Sequence, residues 1–364
     1  MSGCKNLIHI ISSNRWRGVE RYALDICCHF RDRGWNVAAI TRDAKAVDSL
    51  FEKAGVPLVH APLWGMFDIS SIRILSKLMK QADPEGMLVH VHGFRQAFSA
   101  LLSRKLSRRK DIRIIMTRHK VKAGRESILL KRIYRNIDDI IFVSRLSRDI
   151  FLSTWQNRKS PFREGQLHVI QNSINLPVDK YQEKEAKGPV IAMFHGPLVP
   201  GKGLETLISA LPRTKGVKFR LRIIGSGKPD YVDRLRRMAQ SLGVMEMIDW
   251  HKHVDDPMSL IAEADFGVLP SDASEAFGLA NIEYMACGRP QITTSNGAQP
   301  EYLRDGSDAF FVEPGNVESL AEAIKKLASD RSLCVAMGRN AHDSFTRQLA
   351  WNDFAEKITR IYNP

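Results

Sequence analysis

A chain of 364 residues with 44 % apolar and 26 % charged content exceeds one typical domain and suffices for two full cores. Its five cysteines, Cys4, Cys27, Cys28, Cys287 and Cys334, are odd in number and form no CxxC pair, which argues against a disulfide framework or a zinc site and for a reducing cytoplasm. No apolar run approaches the roughly 18 residues of a membrane span, and the segment before Leu7 lacks a signal-peptide core.

Apolar patterning sets out the elements. Runs at Leu7 to Ile11, Val37 to Ile40, Leu88 to Val91, Ile112 to Met116, Ile140 to Val143 and Leu167 to Ile170 read as strands. Amphipathic stretches at Val19 to Phe30, Ile69 to Lys80 and Leu129 to Ile137 read as helices between them. This alternation predicts a parallel sheet covered on both faces. The polar stretch from Pro177 to Pro189, with a proline at each end, reads as an interdomain linker. The same alternation then restarts with strand Val190 to Phe194, helix Leu204 to Leu211, strand Phe219 to Ile224 and helix Tyr231 to Leu242. Strands Phe266 to Leu269 and Gln291 to Thr293 follow, then helices Val317 to Leu327 and Cys334 to Phe345, and an amphipathic tail around Trp351, Phe354, Ile358 and Ile361.

The net charge of +14 is unevenly spread. Residues 1–180 hold 32 Lys and Arg against 16 Asp and Glu, and residues 181–364 hold 22 against 24. Between Leu101 and Arg135, thirteen Lys and Arg meet only Asp111 and Glu126. Such asymmetry points to an anionic partner: nucleic acid, the anionic inner leaflet or a phosphorylated acceptor. A membrane surface carrying a lipid-linked acceptor is the favoured expectation, because each surface Lys or Arg adds on the order of 1 kcal/mol to binding anionic lipid. Leu63-Trp64-Gly65-Met66-Phe67 would supply an apolar contact, unless Trp64 and Phe67 lie in the core. Nucleic acid is disfavoured, since no zinc-finger spacing, aromatic RNA-binding signature or basic heptad accompanies the charge.

Several side chains carry recognisable chemistry. Gly18, just after a strand and at a helix start, lets the backbone approach a diphosphate. Lys202, between Gly201 and Gly203, can neutralise a departing diphosphate, where a preorganised cation stabilises developing charge. Glu275 stands beyond the strand Phe266 to Leu269, at the carboxyl edge where open α/β sheets bind ligands. Phe277, Gly278 and Leu279 open a helix whose free N–H groups and dipole favour phosphate. Glu283, about two turns on, can accept hydrogen bonds from ribose hydroxyls. His119 and His92 each end a strand. The pair His90 and His92 invites a metal, but no further ligands stand nearby, and none is expected. Neither half begins with G-x-G-x-x-G after its first strand, which disfavours an NAD-linked dehydrogenase.

The pattern from Ser274 to Pro290, with Glu275 and Glu283 eight apart, resembles the E-x7-E signature of retaining glycosyltransferases of the family 4 type, also called glycosyl transferases group 1. Gly18-Val19-Glu20-Arg21-Tyr22, Met116-Thr117-Arg118-His119, Gly201-Lys202-Gly203-Leu204, Ile224-Gly225-Ser226-Gly227 and Gly297-Ala298-Gln299-Pro300-Glu301 extend the resemblance over the whole chain, in the family's order. The resemblance implies the GT-B fold, two Rossmann-like doubly wound parallel-sheet domains facing across a cleft. Residues 1–180 would bind acceptor, residues 181–345 would bind the nucleotide-sugar donor, and residues 346–364 would form a helix crossing back to the first domain. It also implies transfer, with retention and without a metal ion or cofactor, from a UDP-sugar to a lipid-linked, polysaccharide or lipopolysaccharide acceptor. Lys202 with the backbone of Phe277, Gly278 and Leu279 would hold diphosphate, Glu283 ribose, and Glu275 and His119 the sugar, with Gly18 beside the diphosphate. A cytoplasmic enzyme, peripheral at the inner face of the plasma membrane, is the expectation.

The chain departs from the pattern at named positions. Pro197 replaces the usual phosphate-binding arginine, and Lys228, Arg15 and Arg17 are its candidate substitutes. Arg17 stands where the family has a first glycine. Asn172-Ser173-Ile174-Asn175 replaces an Asn-Gly-hydrophobic-Asp turn. Two alternatives stay open: a catalytically impaired nucleotide-sugar-binding subunit, and a basic nucleic-acid-binding protein.

Overall fold

The computed structural model describes residues 6–82, 86–176, 188–254 and 256–363. Most of the expected linker, residues 177–187, lies outside them. Packing divides the chain into two units, Met1–Asn172 with Trp351–Pro364, and Ser173–Ala350.

The first unit contains strands β1 (Asn6–Ile10), β2 (Asn36–Thr41), β3 (Leu58–His60), β4 (Met87–Val91), β5 (Ile112–Arg118), β6 (Asp139–Phe142) and β7 (Leu167–Val169). They form one parallel sheet in the order β3-β2-β1-β4-β5-β6-β7. Helices α1 (Gly18–Arg31), α2 (Lys45–Lys53), α3 (Ile69–Gln81), α4 (Phe94–Ser107), α5 (Ile128–Asn136) and α6 (Arg145–Leu152) connect them. Asp68, Ser127 and Ser144 fix the starts of α3, α5 and α6 by accepting the backbone N–H of Ser71, Leu130 and Ser147. Alternation sends Ile8, Ile10, Val89, Val91, Ile114 and Met116 to one core, and Leu7, Ile11, Leu88, Ile115 and Ile141 to the other.

The second unit comprises β8 (Val190–His195), α7 (Leu204–Ala210), β9 (Phe219–Ile224), α8 (Pro229–Ser241), β10 (Ile248–His251), α9 (Met258–Glu263), β11 (Phe266–Leu269), α10 (Leu279–Ala286), β12 (Gln291–Thr294), β13 (Ala309–Val312), α11 (Val317–Ser329) and α12 (Arg331–Gln348). Its sheet is also parallel, ordered β10-β9-β8-β11-β12-β13. The final helix, α13 (Trp351–Tyr362), returns to the first unit, burying Phe354, Ile358 and Tyr362 in the core under α1. Arg113 secures its end by donating to the carbonyls of Ile361 and Tyr362, each at 2.9 Å.

The structure adds β3, β10, β13, α2, α4, α6 and α9 to the elements read from patterning. It also redistributes the basic run. Residues 104–111 precede β5 and Lys120, Lys122 and Arg125 follow it, so the two groups flank a strand about 20 Å long. Arg104, Arg109, Arg113 and Lys131 are occupied by Asp138, Asp111, Asp139 and Glu126 respectively. Lys105, Arg108, Lys110, Lys120, Lys122, Arg125, Arg132 and Arg135 are exposed. Trp64 and Phe67 are 75 % and 68 % exposed, outside the core. Among the described residues no helix is long and apolar enough to cross a membrane.

Candidate functional site

In the second unit strand order reverses between β8 and β11, and the loops leaving these two strands carry the expected donor residues. Open α/β sheets place ligands at such a switch point. The loops lock together: Ala273 N–H donates to the Gly201 carbonyl at 3.0 Å. Gly203 has φ +73°, and a Cβ there would fall 1.8 Å from the Pro270 carbonyl oxygen. Only glycine fits that contact. On the other side, a Cβ on Gly297 would come within 2.6 Å of the Glu275 nitrogen, and Ala298 N–H donates to the Glu275 carbonyl at 2.9 Å. Glu275 is thus held by both neighbouring loops. Its Oε1 accepts from Lys202 Nζ and from Ser271 Oγ, the latter at 2.9 Å. Lys202 and Glu275, assigned to diphosphate and sugar respectively, are therefore joined as a half-buried ion pair.

Helix α10 begins at Leu279 with Gly278 before it. Phe277 is buried against Tyr302, whose hydroxyl donates to the Phe277 carbonyl. This fixes the backbone just before the helix start. Glu283 is 8 % exposed, and its Oε2 lies 2.6 Å from His195 Nε2. His195 Nδ1 is 3.1 Å from the Tyr284 hydroxyl, which itself donates to the Met193 carbonyl at 2.8 Å. Sequence reasoning assigned His195 no role, although its place at the end of a buried strand, two residues before Pro197, was the available signal. Lys228, Arg15 and Arg17 are all exposed.

In the first unit the switch point falls between β1 and β4. Gly18 is the first residue of α1, and Tyr22, one turn later, sets its ring 5.0 Å from that of His119. His119 stands one residue beyond β5, its Nε2 3.2 Å from His92 Nδ1. His92 Nε2 in turn lies 3.1 Å from His9 Nδ1. Burial pushes His9 and His119 down to about 3 and holds His90 and His92 well below the ordinary histidine range. All four rings are therefore neutral near pH 7.

Glu20, in the first turn of α1, is buried, and desolvation pushes its carboxyl up to about 6 against several opposing hydrogen bonds. Around the carboxyl ends of β2 and β3, Asp43, Asp48 and His60 bring one potential ligand atom each within 4.8 Å of the others. His60 Nε2 is already 3.3 Å from Asp48 Oδ2.

Residues 16–177 match the family model described as Glycosyltransferase Family 4, and residues 177–344 match that described as Glycosyl transferases group 1. An uncharacterized glycosyltransferase of Methanocaldococcus jannaschii, MJ1178, is 29 % identical over 293 residues, which is 77 % of this chain and 76 % of that protein. The lipopolysaccharide core biosynthesis glycosyltransferase LpsE of Rhizobium meliloti is 31 % identical over 177 residues, 49 % of each chain. The Anabaena protein Alr3699/HepE, solved in complex with UDP and glucose, superposes with a TM-score of 0.82 at 20 % identity, covering 98 % of this chain and 99 % of that one. That likeness gives the fold as GT-B, in agreement with the two parallel-sheet units. With one model matching each half, the chain belongs to the family 4, group 1 glycosyltransferases.

Proposed function

We propose that this glycosyltransferase moves a sugar, with retention, from a UDP-sugar to a lipid-linked or surface-glycan acceptor of the lipopolysaccharide type. The observation that carries the reading is the Lys202–Glu275 pair, clamped between glycine-bearing loops at the switch point of the second sheet. An ammonium has three protons. With one donated to Glu275, Lys202 keeps two for a diphosphate, while Glu275 keeps Oε2 for a sugar hydroxyl. The N–H groups of Phe277, Gly278 and Leu279 complete the diphosphate contact, and Glu283 offers its second oxygen to ribose. Gly18 and His119 are the first unit's candidates for contact with diphosphate and sugar. UDP is favoured by the UDP-bound relative, and the acceptor class by the name of LpsE. The exposed cations flanking β5, with Trp64 and Phe67, are proposed to hold the enzyme at an anionic membrane.

Thermal stabilisation by UDP, GDP, ADP, CDP and their sugars tests the donor site. UDP should raise Tm, and Lys202→Ala and Glu275→Ala should each weaken that shift; no shift with any nucleotide would sink the reading. Product anomeric configuration by NMR decides retention, and undiminished turnover in EDTA would agree with metal independence. Pro197 supports a second reading, a binding subunit without turnover, since one expected cation is missing. On that reading Pro197→Arg creates activity, and an already active wild type removes it.

A further inference from the structure

Four histidines, two tyrosines and a threonine of the first unit form one continuous hydrogen-bonded chain. From the outer end it runs His119 Nε2 to His92 Nδ1 at 3.2 Å, and His92 Nε2 to His9 Nδ1 at 3.1 Å. His9 Nε2 then meets the Tyr362 hydroxyl at 3.4 Å, and that hydroxyl meets His90 Nδ1 at 2.6 Å. His90 Nε2 is 2.7 Å from Thr117 Oγ1, which lies 3.2 Å from the Tyr22 hydroxyl. The strand period puts His9, His90 and Thr117 on one face of the sheet, roofed by α1 and α13.

A neutral imidazole has one N–H, so a ring bonded at both nitrogens donates at one and accepts at the other. A buried hydroxyl likewise donates its one proton to one neighbour and accepts from the other, so the direction chosen at any link fixes every other link. Among the described residues the Tyr22 hydroxyl has only Thr117 as partner. If the chain ran inward, Thr117 would donate to Tyr22, and the buried phenolic proton would be left with no acceptor. Running outward, Tyr22 donates to Thr117, Thr117 to His90 Nε2, His90 Nδ1–H to Tyr362, Tyr362 to His9 Nε2, His9 Nδ1–H to His92 Nε2, and His92 Nδ1–H to His119 Nε2. Every ring then carries its proton on Nδ1.

We propose that Tyr22, Thr117, His90, Tyr362, His9 and His92 are positioning residues that lock His119 as the Nδ1–H tautomer. His119 thereby presents an obligatory hydrogen-bond donor rather than a base. A sugar hydroxyl or phosphate oxygen is the group it suits. The role of His119 toward donor rests on the function proposed above, but the tautomer lock does not.

The experiment is 15N NMR of the full chain labelled at the imidazoles, without ligand. Protonated Nδ1 and bare Nε2 are expected at all four histidines, and Nε2–H at His9, His92 or His119 would overturn the proposal. If the lock is present but no nucleotide sugar binds, the proposed function fails and the lock stands. Tyr22→Phe combined with Thr117→Val keeps the ring and the strand and removes both protons that set the direction, because Thr117 alone would still donate to His90 Nε2. The double variant should return His119 toward mixed tautomers and lower kcat/KM about tenfold, the size of one hydrogen bond. In a His119→Asn background, where an amide donates without needing a tautomer, the same two substitutions should cost nothing further. An equal loss in both backgrounds would mean Tyr22 and Thr117 act only structurally. Tyr362→Phe, which cuts the chain between His90 and His9, serves if the double variant does not fold: it should free His9, His92 and His119 while leaving His90 unchanged, and retained Nδ1–H on all three would count against the lock.

Discussion

His195 and Glu283 lie together in the interior of the second unit, so removing one leaves the other without its partner. His195→Ala should destabilise that unit by about 3 kcal/mol, read as a lower urea midpoint, whereas His195→Gln, which keeps a donor, should lose less. Glu20 makes a separate prediction. Its carboxyl is pushed up to about 6 by burial, so the folded state holds the proton more tightly than the unfolded one. Its contribution is fully present below the ordinary value near 4.5 and is lost as pH rises through 6, about 2 kcal/mol in all. Glu20→Gln should abolish that slope in stability measured from pH 4.5 to 6.5. Glu275 and Glu283 could be singled out from the sequence because their spacing is local. His195 could not, because its importance arises only from what α10 brings opposite it. The histidine chain was half legible: His90 and His92 were noticed as a pair, but their partners come from β1, β5 and α13, up to 272 residues away.

The loops leaving β8 and β11 work as one piece, and Gly203 is where they touch. Gly203→Ala would force a Cβ into the Pro270 carbonyl at a left-handed backbone position. Expected is loss of at least half the UDP-dependent rise in Tm, together with destabilisation of about 2 kcal/mol. Strands buried on both faces, such as Leu88 to Val91 and Phe266 to Leu269, announce themselves as apolar runs. The elements that sequence missed lack that contrast. Strand β3 is three residues of intermediate or full exposure at a sheet edge, and β10 and β13 are edge strands with partly exposed residues. Helix α4 buries Ala97, Ser99, Ala100, Ser103 and Ser107, so its inward stripe reads as small and polar rather than apolar. The layout of the basic run was hidden for a related reason: sequence proximity cannot show that residues 104–111 and 120–125 lie at the two ends of one strand.

Across the molecule, ionisable groups are distributed unequally. The first unit keeps His9, His90, His92 and His119 neutral far below their ordinary range, so its folded state binds fewer protons than its unfolded state wherever free histidine is charged. Their contribution is complete above pH 6.5 and is lost as pH falls. With nearly four protons at stake near pH 5, the slope approaches about 5 kcal/mol per pH unit, enough to outweigh the single opposing proton of Glu20. Acid titration followed by tryptophan fluorescence and hydrogen exchange should show the first unit opening at a higher pH than the second; simultaneous loss of both would contradict this.

The return of α13 to the first unit has a bearing on how the protein is made. Residues 173–350 form a contiguous stretch that can fold as it leaves the ribosome, but the sheet built from residues 6–169 lacks part of its roof until Tyr362 emerges. At ordinary rates of synthesis that wait lasts roughly 10 to 40 s. Throughout it, Tyr22 and Phe30 lack the aromatic cover that Phe354 and Tyr362 later provide, and the nascent first half offers an apolar face to whatever chaperone is at hand.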